Sequence, residues 1–298
     1  MAARSRLSDY IELSKPTISA LIVAVAAAGY FVALSGPVNL RSLLLLLGLG
    51  ALGSAGAAML NHYLDRDLDE RMHRTQDRPL PGHRIDPPSR VLGVGLTLSA
   101  VSVGGAALLL NPLTGLSILL GTLSYVVVYT LWLKRRSSWN IVLGGAAGSA
   151  PALAGSAAAV GHWTTGALAL ALVVFLWTPP HFWSLALLLR EDYRRAGLPM
   201  LPRMEDPAFS AKVVVVSAAL LVPASALLLF TAPLLPAVAI AVVVLAVLFT
   251  ALTIPLWRSP ARRWARLGFV FSGPYLLALL ILLVANGYVL HPGLRWGF

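Results

Sequence analysis

Residues 42–70 read SLLLLLGLGALGSAGAAMLNHYLDRDLDE, an apolar run that ends in a dense group of charges. The first 23 residues, Ser42 to Leu64, carry no charge, whereas five of the next six residues do. A helix that crosses a membrane needs about 20 consecutive apolar residues. The segment therefore predicts a membrane-spanning helix that carries acidic side chains to one face of the membrane.

Charge-free runs recur along the chain of 298 residues, of which 58% are hydrophobic and 12% are charged. This charged share is about half that of soluble domains, which argues against an ordinary soluble enzyme, a disordered chain or a fibrous protein. The other charge-free runs cover residues 16–40, 91–133, 137–189, 213–257 and 267–294. The three longest runs each hold two helices, because break signals stand near their middles, at Asn111-Pro112, Gly161-His162 and Thr231-Ala232-Pro233. The sequence thus predicts an all-α polytopic membrane protein with nine transmembrane helices, in one domain over residues 1–298.

The basic residues are unevenly distributed between the two sides of the membrane. The chain has 23 Lys and Arg residues against 12 Asp and Glu, a formal net charge of +11. With nine helices, 21 basic residues, among them Arg4, Arg6 and Lys15, fall on one side, and only Arg41 and Arg295 fall on the other. The positive-inside rule then predicts a cytoplasmic N-terminus and a C-terminus on the outer side of the cell (inner) membrane. The basic excess thus indicates membrane topology and no nucleic acid partner. All 12 acids share the cytoplasmic side, so we expect a central cavity open to that face.

The acidic group at the end of the second helix has the spacing of a metal site. Asn61, Asp65 and Asp69 are four residues apart, so a continuing helix would present them on one face. Like charges at this spacing repel, and we therefore expect a cation between them. The chain has no cysteine, and side-chain oxygens suit a hard ion such as Mg²⁺, which completes its shell with phosphate and water. The group predicts a Mg²⁺–diphosphate site. The alternative is a solvated helix end whose acids pair with arginines, as we expect for Asp67 and Glu70.

Four basic residues on the same side are candidates for diphosphate binding. Arg74 and Arg78 follow the acidic group, and Lys134 and Arg135 follow the fourth predicted helix. Guanidinium and ammonium groups form charge-assisted hydrogen bonds with phosphate oxygens. The alternative for each is a topology anchor in contact with lipid headgroups.

The sixth predicted helix carries an ionisable residue inside the membrane. His181 follows Pro179-Pro180, and Asp192 comes eleven residues after His181. On one continuous helix, eleven residues return to nearly the same face after about 16 Å. Because intramembrane ionisable groups are functional candidates, we expect a stripe with Asp192 at the cytoplasmic mouth, opposite the acidic group, and His181 deeper. The alternative is a histidine whose hydrogen bonds are satisfied in the core.

The Asn61…Asp65…Asp69 pattern in a nine-helix protein resembles the UbiA superfamily of intramembrane prenyltransferases. Finer matches resemble one member family, the protohaem IX farnesyltransferases or haem O synthases, and Thr178-Pro-Pro-His-Phe-Trp183 and Leu198-Pro-Met-Leu-Pro202 are the stretches that indicate haem. The other matching segments are residues 12–16, 65–80, 133–136 and 140–145. Two departures are Ala150-Pro151-Ala152, where the family often has paired prolines, and a single Asp192, where the superfamily often has two Asp.

The resemblance implies that farnesyl diphosphate and haem b give haem O and diphosphate, with Mg²⁺ as the cofactor. It implies that Asp192 joins Asn61, Asp65 and Asp69 as a catalytic metal ligand. It also implies a haem A synthase as a downstream partner, in a lipid bilayer. Since neutral imidazole is a good iron ligand, we predict that His181 binds haem.

Two other functions compete with this interpretation. One is transfer of a prenyl group to a different acceptor, a quinone precursor or chlorophyllide. The other is secondary transport of an anionic or amphiphilic solute, which broken helices and a cation-rich face would fit. Transport predicts ionisable residues near the middle of the membrane, whereas every acid here lies at the cytoplasmic end.

Overall fold

The computed structural model describes residues 6–296, so Arg4 of the N-terminal basic group lies outside the described residues. The α-helices are α1 (Leu7–Leu13), α2 (Pro16–Ala33), α3 (Leu40–Asp69), α4 (Ser89–Leu109), α5 (Pro112–Leu123), α6 (Asn140–Val160), α7 (Thr165–Leu188), α8 (Arg190–Arg195), α9 (Pro207–Ala219), α10 (Leu221–Thr231), α11 (Pro236–Thr253), α12 (Pro255–Arg258) and α13 (Arg262–Leu290). A π-helix, Ser124–Leu133, continues α5. Two short strands, β1 (Val38–Asn39) and β2 (Leu294–Arg295), pair in parallel.

Residues 6–296 contain nine helical spans that are long and apolar enough to cross a membrane, which confirms the predicted number. Six are single helices, α2, α3, α4, α6, α7 and α13, and three are joined pairs: α5 with the π-helix, α9 with α10, and α11 with α12. Helices end and begin at the predicted breaks. At the first break, Asn111 caps α5 by accepting a hydrogen bond from the Thr114 amide at 2.8 Å. Exposed apolar side chains such as Leu108 and Phe230 face outward from the bundle, as lipid contact requires.

Successive spans run in opposite directions, and the long connections therefore meet at one end of the bundle. This end, which we call the polar end, holds α1 and the connections after α3, the π-helix, α7 and α12. The connections touch one another. Arg84 donates to Glu12 at 2.6 Å, and the Asn140 side-chain amide donates to the carbonyl of Pro199 at 3.1 Å. Residues far apart in the sequence are thereby brought to one surface.

Helices α2 and α6 approach most closely far from the polar end, at a contact that we call the glycine seam, formed by Gly29 and Gly155. A Cβ on Gly29 would collide with the backbone carbonyl of Ala152. A Cβ on Gly155 would collide with the carbonyl of Ala26 and the amide of Tyr30. Only residues without a side chain allow two helix backbones to come this close. The seam closes this part of the bundle by contact between backbones.

The predicted stripe from His181 to Asp192 is wrong, because the helix that carries His181 ends before Asp192. Helix α7 stops at Leu188, and Leu189 leaves the helical region with φ −106° and ψ 20°. Asp192 lies on the separate short helix α8. The chain turns here because the Tyr193 side chain is buried in the polar end, in one apolar cluster with Leu68 and Met72.

The glycine seam makes a stability prediction. Replacing Gly155 by Ala should lower the free energy of unfolding by about 1–3 kcal/mol, because the added methyl group must displace the α2 backbone. Gly104→Ala is the matched control, since its Cβ would meet nothing within 4 Å inside α4. This control should leave stability unchanged or raise it slightly. Thermal unfolding of both variants in detergent measures the difference, and equal melting temperatures would contradict the seam.

Candidate active site

The three residues of the predicted metal site share one buried face of α3. The helix continues to Asp69, as the spacing required. Asn61, Asp65 and Asp69 are only 4%, 2% and 1% exposed. The Asn61 amide donates to Oδ2 of Asp65 at 2.6 Å, so these two side chains form one unit. The face predicted from the spacing is confirmed, and its carboxylates lie inside the bundle and away from solvent.

Each member of this group is in contact with a cation from a different segment. Lys134, which follows the π-helix, forms an ion pair with Asp65. Arg78 donates to both carboxylate oxygens of Asp69 at 3.0 Å. Lys15 Nζ donates to Oδ1 of Asn61 at 2.8 Å. The buried negative charges are therefore balanced by ammonium and guanidinium groups, which are also the groups that bind phosphate oxygens.

The donor atoms of this group fit a hard divalent cation. In residues 6–296 no three His, Asp or Glu side chains are close enough to hold a metal ion, because the cations stand between the acids. One carboxylate oxygen, Oδ1 of Asp65, is nevertheless buried without a hydrogen-bond partner. A buried carboxylate oxygen without a donor is costly unless a cation satisfies it. Together with the oxygens of Asn61 and Asp69, it offers the ligand type that Mg²⁺ prefers.

Lys15 is a site residue that the sequence arguments counted for topology and as part of the matching segment 12–16, without a binding role. Its backbone is left-handed, with φ 49° and ψ 62°, immediately before Pro16. This conformation is uncommon for a residue with a side chain and often marks a functional site. It brings the ammonium group to Asn61 and to the Tyr125 hydroxyl, at 3.1 Å. Burial and the positive charge of Arg78 lower the Lys15 pKa to about 8. The Lys-Pro pair at the start of a span was the only signal in the sequence.

The π-helix supplies a second set of contacts that the sequence did not predict. Its wider turn gives backbone bonds between residues five apart, as in the Lys134 amide donating to the Tyr129 carbonyl at 2.8 Å. Within the π-helix, the Thr130 hydroxyl donates to the Tyr125 carbonyl at 2.8 Å. The Thr130 hydroxyl also accepts from the Asn61 amide at 3.1 Å. The rings of Tyr125 and Tyr129 stack in parallel, with centroids 5.9 Å apart. The π-helix thereby fixes Asn61 from the side opposite to Lys15.

Arg135 lies outside the candidate site, contrary to the prediction from the sequence. Its guanidinium donates to both carboxylate oxygens of Asp67, at 2.8 and 2.7 Å, and to the Leu64 carbonyl. Both side chains are 40% or more exposed. Asp67 is two residues beyond Asp65, and positions two apart on a helix do not share a face. The pair therefore joins the outside of α3 to the connection that follows the π-helix.

Residues near Asp192 are linked to the arginines that follow α3. Tyr193 is buried. Burial raises the pKa of Tyr193, while the nearby Arg74 and Arg78 act in the opposite direction. Asp192 is partly buried next to this tyrosine, and its carboxylate has no hydrogen bond or ion pair to another described residue. The segment of Asp192 thus lies close to Arg74, and its position opposite the acidic group stays a prediction.

A cavity of about 290 Å³ lies inside the bundle, and Lys15, the cation that contacts Asn61, is on its wall. It is bounded by α2, α3, α5, the π-helix, α6 and α7, and most of its lining is apolar and small. Lys15, Tyr125, Tyr129 and His181 are polar residues on its wall. Ala26 and Ala154 line the cavity near the glycine seam. The cavity therefore combines one ammonium group and two tyrosines with a largely apolar wall that carries a single histidine.

His181 is held tightly on the cavity wall. Its Nδ1 lies 2.6 Å from the hydroxyl of Ser272 on α13. Its ring stacks on Trp177, with centroids 4.4 Å apart and planes at 19°, and a second aromatic ring, Phe269, lies 5.0 Å away. A histidine fixed by packing and by one hydrogen bond leaves its other ring nitrogen available to a ligand.

Comparisons with known proteins give a consistent result. The profile described as the UbiA prenyltransferase family matches residues 21–273. A protein named protoheme IX farnesyltransferase from Metallosphaera sedula is 43% identical over 282 residues, covering 94% of this chain and 96% of its own. One named protoheme IX farnesyltransferase 1 from Paramagnetospirillum magneticum is 41% identical over 279 residues, covering 93% of this chain and 98% of its own.

Solved structures agree with this fold. A UbiA homologue from Archaeoglobus fulgidus bound to DMAPP and Mg²⁺ superposes with a TM-score of 0.71 at 17% identity, covering 94% of this chain and 98% of that one. A structure described as digeranylgeranylglyceryl phosphate synthase in membranes gives a TM-score of 0.76 at 18% identity, with the same coverage. At this level of identity the likeness concerns the fold.

The two neighbouring cations Lys134 and Arg135 should differ sharply in their effect on stability. Lys134→Ala leaves Asp65 buried without its cation and should cost about 3–5 kcal/mol in the absence of metal and substrate. Arg135→Ala removes only an exposed pair and should cost less than about 1 kcal/mol. Thermal unfolding in metal-free detergent measures both. Equal destabilisation by the two variants would contradict this arrangement.

Proposed function

Because the chain belongs to the UbiA prenyltransferase family, we propose that it transfers the farnesyl group of farnesyl diphosphate to a vinyl group of haem b. The products are haem O and diphosphate, and one water molecule enters when the vinyl group becomes a hydroxyethylfarnesyl group. The observation that carries the proposal is the largely apolar cavity, whose wall holds both His181 and Lys15, the cation that contacts Asn61 of the acidic group. The names of the relatives, which are 38–44% identical, support haem as the acceptor.

The acidic group and its cations form the diphosphate head of the proposed site. Asn61, Asp65 and Asp69 would hold Mg²⁺, with Asp192 on the opposite side. When bound, Mg²⁺ would neutralise negative charge on the leaving diphosphate. Arg78 and Lys134, now paired with Asp69 and Asp65, would bind the phosphate oxygens instead. Lys15, which contacts Asn61, and Arg74 would add two further cations.

The cavity below this head suits the reacting group. Loss of diphosphate leaves an allylic carbocation, which bulk water would trap. Apolar walls and the glycine seam exclude water from that part of the bundle, so the cation meets the acceptor first. The farnesyl tail enters from lipid without leaving an apolar phase.

We propose that His181 holds haem b in this cavity by axial ligation of its iron, so that a vinyl group faces the diphosphate head.

The distribution of charge supports a location and an orientation. The polar end carries the acids and most of the basic residues, so we propose that it faces the cytoplasm and that the C-terminus faces the outer side of the cell membrane. Haem O would then be passed on within the membrane, to a haem A synthase.

The direct test of the function is product formation. Purified protein in detergent is incubated with haem b, farnesyl diphosphate and Mg²⁺, and the haem products are analysed by mass spectrometry. Haem O is the expected product. Prenylation of a quinone precursor or chlorophyllide, with haem b left unchanged, would refute haem as the acceptor. It would still support prenyl transfer as the reaction.

The acidic group makes a prediction about turnover. Asp65→Asn and Asp69→Asn should each lower kcat by at least about 100-fold, because an amide keeps the size of the carboxylate but not the charge that holds the metal. Asp192→Asn should act in the same direction. Asp67→Asn is the matched control on the exposed face of α3, and it should keep activity within about twofold. Haem O formation measures all four, and normal turnover in both Asp65→Asn and Asp69→Asn would refute the metal site.

His181 makes a separate prediction about haem. His181→Ala should weaken haem binding by at least about tenfold and shift the Soret band, because the iron loses its ligand. Binding of farnesyl diphosphate should not change, since His181 has no hydrogen bond or ion pair with the acidic group or its cations among the described residues. Absorption titrations with haem and with farnesyl diphosphate test the two sites separately. An unaltered Soret band together with lost turnover would instead indicate that His181 accepts a proton.

A further inference from the structure

Ser272 of α13 contacts two rings of α7, the imidazole of His181 and the indole of Trp177. The hydroxyl of Ser272 lies 2.6 Å from Nδ1 of His181. The carbonyl of the same residue accepts a hydrogen bond from the Trp177 indole at 2.9 Å. Ser272 is fully buried, so no solvent competes for either contact. The side chain and the backbone of Ser272 thus hold the histidine and the ring on which it stacks.

The hydrogen bonds around Ser272 determine the protonation of His181. A serine hydroxyl has one hydrogen, and Ser272 donates it to the carbonyl of Phe269 at 2.6 Å. Toward His181 the hydroxyl oxygen is therefore the acceptor, and Nδ1 carries the ring hydrogen. Nε2 of His181 then holds a lone pair, and it has no hydrogen-bond partner among residues 6–296.

The packing around His181 fixes the plane of its ring. Trp177 stacks on the ring, Phe269 lies 5.0 Å from it, and Nδ1 contacts Ser272 on α13. His181 also lines the cavity, and Nε2 is the ring nitrogen that the contact with Ser272 leaves for a ligand. A metal-binding histidine typically donates its other ring hydrogen to an acceptor that fixes its tautomer and orientation.

We propose that Ser272 is a positioning residue for the haem substrate. It holds His181 as the Nδ1–H tautomer and directs the Nε2 lone pair to the haem iron. Hydrogen bonding from Nδ1–H also makes Nε2 a stronger electron donor, which strengthens the bond to iron. This inference rests on the proposed function, in which His181 binds haem.

The experiment measures the iron–histidine bond in the protein loaded with ferrous haem. Ser272→Ala should lower the iron–histidine stretching frequency in resonance Raman spectra and weaken haem binding by roughly 10-fold. The KM for farnesyl diphosphate should not change. Ser272→Thr keeps a hydroxyl and should keep the original frequency. Ser184→Ala is the matched control, because it also removes a buried hydroxyl next to α13, but one without a hydrogen-bond partner.

The outcomes separate this proposal from the proposed function. If Ser272→Ala matches the unmodified protein in frequency and in haem affinity while His181→Ala loses ligation, then Ser272 does not position the histidine and the function stands. If His181→Ala itself leaves the haem spectrum unchanged, then His181 does not ligate haem, and the proposed role of Ser272 is refuted with it. Should Ser272→Ala not fold, Ser272→Cys gives the same test, since a thiol is a weaker acceptor and should also lower the frequency. An unchanged frequency there would overturn the proposal.

Discussion

Two carboxylates buried at the end of an otherwise apolar helix are the constraint on which the structure depends. An unpaired charge removed from water costs several kcal/mol, so Asp65 and Asp69 can remain ionised inside the bundle only beside cations. Those cations come from three separate segments, which carry Lys15, Arg78 and Lys134. The need for these contacts explains why the N-terminal segment and the connections after α3 and the π-helix converge. Electrostatic balance, together with apolar packing, organises the polar end.

The site has two ends built in different ways. At the polar end, charged side chains from loops and helix ends meet, and their pairing can be exchanged when an anion arrives. Around His181, all the contacts come from the interiors of α7 and α13, where the rings are packed. The first arrangement suits a substrate group that must be bound and then released. The second suits a planar molecule whose orientation decides which of its edges reacts.

The sequence was sufficient for features that depend on local spacing. Charge-free runs gave the nine spans, and the four-residue repeat gave the buried face of Asn61, Asp65 and Asp69. It was insufficient wherever a tertiary contact decides the outcome. Arg135 and Lys134 are neighbours in the chain, but only the position of α3 shows which of them reaches Asp65. The end of α7 follows from the burial of Tyr193, and the π-helix has no local signal that distinguishes it from an α-helix.

The glycine seam has a consequence for the membrane as an electrical barrier. A cavity with polar groups at one end could admit ions from that side of the membrane. A loose contact between helices at its other end would let those ions cross. Closure by side chains can open when a rotamer changes. At Gly29 and Gly155 the two helices meet through their backbones, which have no such freedom. Where α2 meets α6, the protein therefore offers protons no path that a change of rotamer could open.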